Sequence, residues 1–294
     1  MKVLLFGANG QVGSACRQSL TKAGLDVVAL TRADADFAEP MQVISAVQRH
    51  APQFVVNACA YTAVDKAESE EALAQMVNGD SVGLLAQACA AQGIPLLHIS
   101  TDYVFNGKSD RPYTESDPVD PMGVYGASKL AGERQLQVLQ PQHIILRTSW
   151  VFGEQGNNFV KTMVRLGQSR PELGVVADQV GCPTYAGDIA RVITEFVTAY
   201  SKDHELPWGI YHCSNQGQCS WYDFACAIFA EAVEQGILPR APKVNPITTA
   251  DYPTPAARPA WSVLDTGRLN GWLSEPMPHW QQGLKSVLAS LQAS

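Results

Sequence analysis

The chain has 294 residues, of which 46% are hydrophobic and 17% charged, so it can bury a sizeable core as one large domain with a smaller appendage. A formal charge of -7 excludes a general nucleic-acid binder, whose footprint is a basic face. No apolar run approaches a membrane span, and Val3-Leu4-Leu5-Phe6 is too short for a signal-peptide apolar region, so a cytoplasmic protein with no membrane partner is expected.

Residues 1–6 read as a short apolar strand, and Gly7-Ala8-Asn9-Gly10-Gln11-Val12-Gly13 leads from it into the helical pattern Val12, Ala15, Cys16, Ser19, Leu20. A turn this tight needs residues without a Cβ where backbone approaches a ligand, and the amides at the helix start then face a pyrophosphate. Gly7, Asn9, Gly10, Gln11 and Val12 are therefore candidate dinucleotide contacts, although the spacing is G-x-x-G-x-x-G in place of G-x-G-x-x-G. Residues 26–30 form a second strand ending at Thr31-Arg32. An acid at this place accepts from a ribose 2′-hydroxyl, whereas a cation accommodates a 2′-phosphate, so Arg32 points to NADPH with NADH possible.

Residues 41–50 read as a helix and 54–57 as a buried strand, followed by Ala58-Cys59-Ala60-Tyr61-Thr62, small residues just past a strand end where open α/β sheets place ligands. Residues 68–75 and 81–91 are expected to be helical, with Gly93 as a stop. The apolar run 94–99 enters Ser100-Thr101-Asp102-Tyr103-Val104-Phe105, and a Pro-rich acidic loop over 110–122 carries the chain to Tyr125-Gly126-Ala127-Ser128-Lys129 at a helix start. Tyr125 and Lys129, four residues apart, share one helix face. An ammonium beside a phenol lowers the phenol pKa from about 10 and makes it a proton donor or acceptor, with Thr101 able to polarise the same substrate oxygen. Residues 132–139 continue this helix, and 144–148 form a strand ending at Ser149-Trp150, where Trp150 is placed either in the core or stacked on substrate.

Beyond residue 152 the β-α alternation fades. Helices are expected near 159–166, 188–200, 221–236 and 280–291, with a strand at 210–213 and heavy Pro and Gly punctuation over 239–259. The division expected is 1–152 for a dinucleotide-binding domain and 153–294 for a smaller lobe interleaved with it. Seven cysteines with no C-x-x-C pair read as buried free thiols, and six histidines show no ligand spacing. His98, inside an apolar run, reads as a hydrogen-bonded core residue and not a base.

The glycine loop followed by Tyr-x-x-x-Lys resembles the extended short-chain dehydrogenase/reductases. The strings Thr62-Ala63-Val64-Asp65-Lys66-Ala67-Glu68, Ser100 to Phe105, Arg147-Thr148-Ser149-Trp150-Val151-Phe152, Gly156-Asn157-Asn158-Phe159 and Tyr252-Pro253-Thr254-Pro255-Ala256-Ala257-Arg258-Pro259 resemble, within that branch, the dTDP-4-dehydrorhamnose reductase family over nearly the whole chain. The resemblance implies a Rossmann-type doubly wound parallel sheet, a dTDP-sugar substrate and reduction of its C4 ketone to dTDP-L-rhamnose. It makes Thr101, Tyr125 and Lys129 catalytic, with Tyr125 and Lys129 also touching the cofactor. It places Cys59, Ala60, Tyr61 and Thr62 beside the cofactor ribose and nicotinamide, Asp36 and Phe37 beside its adenine, and Thr101, Asp102 and Trp150 at the substrate, with Arg258 able to pair with a diphosphate. Tyr103 stands where sugar-nucleotide dehydratases carry a Glu base, which favours hydride transfer over elimination. A nucleotide-sugar epimerase, and a non-catalytic subunit resembling that of methionine adenosyltransferase, are the alternatives. Some of these reductases are dimers bridged by a divalent cation with a Glu two residues after the third glycine. Here Ser14 and Ala15 bring no carboxylate and Asp188 is a single acid, so no metal is expected, and the protein is expected to be a monomer or a metal-independent homodimer.

Overall fold

The computed structural model describes residues 1–292. The first half alternates strands and helices: β1 (Lys2–Phe6), α1 (Gln11–Lys22), β2 (Asp26–Leu30), α2 (Pro40–His50), β3 (Phe54–Asn57), α3 (Val64–Ala67), α4 (Glu71–Gln75), α5 (Ser81–Ala90), β4 (Leu96–Thr101), α6 (Val124–Leu139) and β5 (His143–Thr148). The second half adds β6 (Val151–Phe152), α7 (Phe159–Ser169), β7 (Glu172–Val176), β8 (Val180–Gly181), β9 (Thr184–Tyr185), α8 (Ala186–Asp203), β10 (Gly209–His212), β11 (Cys219–Ser220), α9 (Trp221–Glu234), β12 (Lys243–Ile247), α10 (Gly267–Asn270) and α11 (Trp280–Gln292).

Six strands make one parallel sheet in the order β10-β5-β4-β3-β1-β2. The inner strands are almost continuously apolar because helices cover both faces. On one face α1 and α8 bury Cys16, Leu20, Ile189, Ile193 and Phe196 against Val3, Leu5 and Val56. On the other, α2 and α5 bury Val43, Val47 and Leu85 against Leu4 and Val55. The chain runs outward from β1 to β2 and returns on the other side to β3, so the sheet reverses direction between β1 and β3. Ligands sit beyond the strand ends at such a switch point.

The second half is interleaved with the first, since α8 covers the sheet and β10 is its last strand. A separate cluster under α7, α9 and α11 buries Phe152, Met163, Phe224, Phe229 and Trp280. No helix among the described residues is long and apolar enough to cross a membrane.

Three local expectations need correction. Residues 68–69 are a turn, Glu70 precedes the helix, and the helix begins at Glu71. It runs on to Ala90 through a π-helical turn at Met76–Asp80, where an interruption was expected. The Pro-punctuated region contains β12, which pairs in parallel with β7, Pro246 opposite Val175. A proline is tolerated there because this two-stranded sheet has only edges.

Candidate active site

The glycine loop closes on itself, with Gly10 N–H donating to the Gly7 carbonyl at 3.0 Å. Gly7 has φ +77, and a Cβ there would lie 2.8 Å from the Ala58 backbone. A Cβ on Gly13 would lie 2.0 Å from the Gly7 oxygen. The loop, α1 and the end of β3 thus touch without room for a methyl group. Gly10 begins α1 with no side-chain cap and no acid in the first turn, so the first amides of α1 are free of side-chain acceptors and suit an anion. Asn9 and Gly10 are exposed and Gln11 and Val12 partly buried. Asn158 Nδ2 donates to Gln11 Oε1 at 3.0 Å and to the Gly153 carbonyl, tying the loop after β6 to this helix start. These residues fit a dinucleotide pyrophosphate.

Arg32 is exposed and pairs with Asp36 at 2.9 Å, so the cation and acid expected at the adenosine end hold each other. Phe37 is buried edge-on against Phe6. Beyond β3, Cys59 N–H donates to Asn57 Oδ1, and Asn78 both accepts from Tyr61 N–H and donates to the Tyr61 carbonyl. The same Asn78 donates to Ser128 Oγ on α6, linking the segment Cys59, Ala60, Tyr61, Thr62 to the helix of Tyr125.

Thr101 ends β4 and Tyr125 opens α6. Thr101 Oγ1 donates to Asp102 Oδ1 at 3.0 Å and accepts Tyr103 N–H at 3.2 Å. Asp102 is buried, and burial pushes its carboxyl up to about 6. Tyr103 packs edge-to-face on Tyr125 with centroids 5.4 Å apart. Arg258 bridges this ring and the first half of the chain, donating to Tyr103 Oη at 3.0 Å and to Asp65 Oδ2 at 2.7 Å, so its charge is already engaged.

Lys129 corrects the simple picture of an ammonium lowering the phenol pKa. Its Nζ contacts His98 Nε2 at 3.0 Å and the Ile99 carbonyl at 2.7 Å, and burial pulls the amine down to about 8. Burial pushes the Tyr125 phenol well above its ordinary value. Both side chains lie on the α6 face turned to β4, as their spacing requires.

Trp150 is one of three non-glycine residues with positive φ among those described, at +46, and its ring stacks on Trp221 at 3.5 Å. A Cβ on Gly181 would lie 2.6 Å from the Trp150 ring. Strain held by surrounding packing is characteristic of functional positions. A cleft of about 530 Å³ beside α1 is lined by Gln11, Ser14, Ala15, Glu154 and Tyr185. Asp188 accepts from Asn215 Nδ2 at 2.7 Å.

Sequence reasoning missed Asn57, Asn78 and the partnership of His98 with Lys129. The signal available was a polar residue inside each otherwise apolar or helical run.

The family model described as RmlD substrate binding domain matches residues 1–293. The chain is 46% identical over 289 residues to a dTDP-4-dehydrorhamnose reductase of Aggregatibacter actinomycetemcomitans, with 98% of each chain covered. A crystal structure of a dTDP-4-dehydrorhamnose reductase from Clostridium acetobutylicum superposes with TM-score 0.91 at 40% identity, covering 99% of this chain and 100% of that one. The enzyme of the same name from Bacillus anthracis, solved in complex with NADP, gives 0.89 at 39% identity, with 98% of each covered. Full-length likeness at this level and the constellation of glycine loop, Thr101, Tyr125 and Lys129 agree: the chain belongs to the dTDP-4-dehydrorhamnose reductase family.

Proposed function

We propose that this protein reduces the C4 ketone of dTDP-4-dehydro-L-rhamnose to dTDP-L-rhamnose with NADPH as the preferred hydride donor, and that Thr101, Tyr125 and Lys129 carry the reaction. The observation that supports these roles best is the convergence of β4 and the start of α6, where Tyr103, whose N–H donates to Thr101 Oγ1, packs edge-to-face on the Tyr125 ring. The glycine loop, Arg32, Asp36, Phe37 and the segment Cys59 to Thr62 would hold the cofactor. When bound, the dihydronicotinamide supplies a hydride to the ketone carbon. Tyr125 gives its proton to the ketone oxygen as charge develops there, and Thr101 would turn its one hydroxyl hydrogen from Asp102 to that oxygen, an interaction that contributes most where water is excluded. Asp102 orients the Thr101 hydroxyl, and Trp150, held against Trp221 and Gly181, would meet the sugar with what remains of its ring edge. The missing Glu base beside Asp102 argues against elimination, and full-length likeness to reductases argues against the epimerase and the non-catalytic subunit.

We also assign the segment 153–294 mainly to substrate binding, the protein to the cytoplasm, where its free thiols stay reduced, and its assembly to a monomer or a metal-independent homodimer. The test is loss of nicotinamide absorbance with NADPH and the 4-keto sugar nucleotide. Tyr125→Phe should bind cofactor normally and lose roughly two or more orders of magnitude in turnover. Near-normal turnover in that variant removes Tyr125 from the mechanism.

A further inference from the structure

Asn57, His98 and Lys129 lie in one buried line behind the site, 0%, 0% and 1% exposed. The direction of every hydrogen bond along it is set from one end. The backbone N–H of Cys59 only donates, so the Asn57 amide atom 2.9 Å from it is the oxygen. The amide nitrogen of Asn57 then faces His98 Nδ1 at 3.0 Å, and because that nitrogen only donates, Nδ1 carries no hydrogen and accepts. In a neutral ring the hydrogen therefore sits on Nε2, aimed at Lys129 Nζ 3.0 Å away. An ammonium has no lone pair and would set N–H against N–H. A neutral amine takes the Nε2 hydrogen on its lone pair, gives one hydrogen to the Ile99 carbonyl at 2.7 Å, and keeps a second for the site. Reversing the chain only moves the clash of donors to Asn57 or Cys59.

We propose that Lys129 in the free protein at pH 8.5 is a neutral amine accepting from His98 Nε2, and that Asn57 and His98 are positioning residues that set its protonation state. Burial acts in the same sense, drawing Lys129 down to about 8 and the His98 imidazole well below its ordinary value. Two groups on packed elements oppose it. The Cys59 thiol is pushed up to about 12 by burial and stays neutral, and the Glu133 carboxylate, one turn further along α6, is already paired with Arg147 at 2.6 Å. The cation that holds a ribose or steadies a phenolate then forms by proton uptake, either as pH falls through the Lys129 midpoint or as an anionic ligand arrives. That last step rests on the function proposed above, whereas the protonation state does not.

The test is NMR of the free protein labelled with ¹⁵N and ¹³C in lysine and histidine. At pH 8.5 Lys129 should be the lysine with an amine Nζ while surface lysines remain ammonium, and His98 should carry its hydrogen on Nε2. An ammonium at Lys129, or a hydrogen on His98 Nδ1, overturns the proposal. Asn57→Asp replaces the amide by a carboxylate that accepts from both Cys59 N–H and His98 Nδ1–H, which reverses the chain. It should switch the His98 tautomer and raise the Lys129 midpoint by about one pH unit or more, tenfold in proton affinity. A raised midpoint without a tautomer switch would reflect the added charge alone and would count against the wiring. The wild-type spectra decide the matter even where Asn57→Asp fails to fold. Absence of reductase activity would leave these spectra unchanged, so the two readings fail separately.

Discussion

At the scale of single residues, two side chains carry sharp expectations. Arg32 is exposed and bound only to Asp36, which leaves its guanidinium free to exchange that carboxylate for a phosphate. Arg32→Ala should weaken NADPH binding by roughly 1–3 kcal/mol and leave NADH nearly unchanged, as for loss of a charged hydrogen bond. Equal losses in titrations with the two cofactors would show that Arg32 does not discriminate. Asp102 concerns stability. Its carboxyl is raised from 3.8 to about 6 by burial, so the folded state holds the proton more tightly than the unfolded one. The charge is therefore neutral in effect in acid and destabilises progressively as pH rises through that window. Asp102→Asn removes it, and should gain up to about 3 kcal/mol in urea denaturation at pH 8, with the gain shrinking as pH falls toward 4. A gain independent of pH would sink this account.

At the scale of elements, α6 is set against β5 by a buried ion pair. Arg147 reaches Glu133 through Nε at 3.0 Å and Nη2 at 2.6 Å, with both side chains at most 3% exposed. Glu133→Ala strands a buried guanidinium and should cost about 3–5 kcal/mol, whereas Glu133→Leu combined with Arg147→Met should come much closer to wild type. Denaturation midpoints that fall equally in both variants would show that packing, and not charge, sets the effect. Element identity was legible wherever a run was long and apolar, as in β1, β3, β4 and β5, and Tyr125 and Lys129 were legible because helical spacing alone puts them on one face. The strand β12 was hidden by Pro246, and the π-helical turn by residues that fit either helix type. The state of Lys129 was beyond reach, since its cause is a donor sequence through Asn57 and His98, which are 41 residues apart in the chain.

At the scale of the whole molecule, the glycine loop and the first three strands are legible from the first sixty residues and an interleaved second lobe was expected, but which surface α8 covers is not legible, because sequence periodicity says nothing about it. Assembly is equally a property of surfaces. The cleft beside α1 presents Ser14 and Ala15, which offer no carboxylate to a hard cation, its Glu154 carboxylate accepts from the Tyr185 phenol, and Asp188 is turned to Asn215. Sedimentation and turnover should therefore be unaffected by EDTA. A chelator that both splits a dimer and abolishes turnover would refute metal independence.

The interleaving also has a consequence during synthesis. The face of the sheet that α8 will cover is made by residues translated early, yet Phe196, Tyr211, Leu269 and Met277, which complete that layer, come much later. At the ~5–20 residues per second of translation, the 125 residues between 152 and 277 take roughly 6–25 s to appear. Until α8 has emerged, α1 alone covers this face, and Phe196, Tyr211, Leu269 and Met277 are still missing from the layer that holds Val3, Leu5, Val56 and Leu146. Slowing elongation after residue 152 should therefore lower its soluble yield unless chaperones that shield apolar sheet faces are supplied, and an unchanged yield would count against this account.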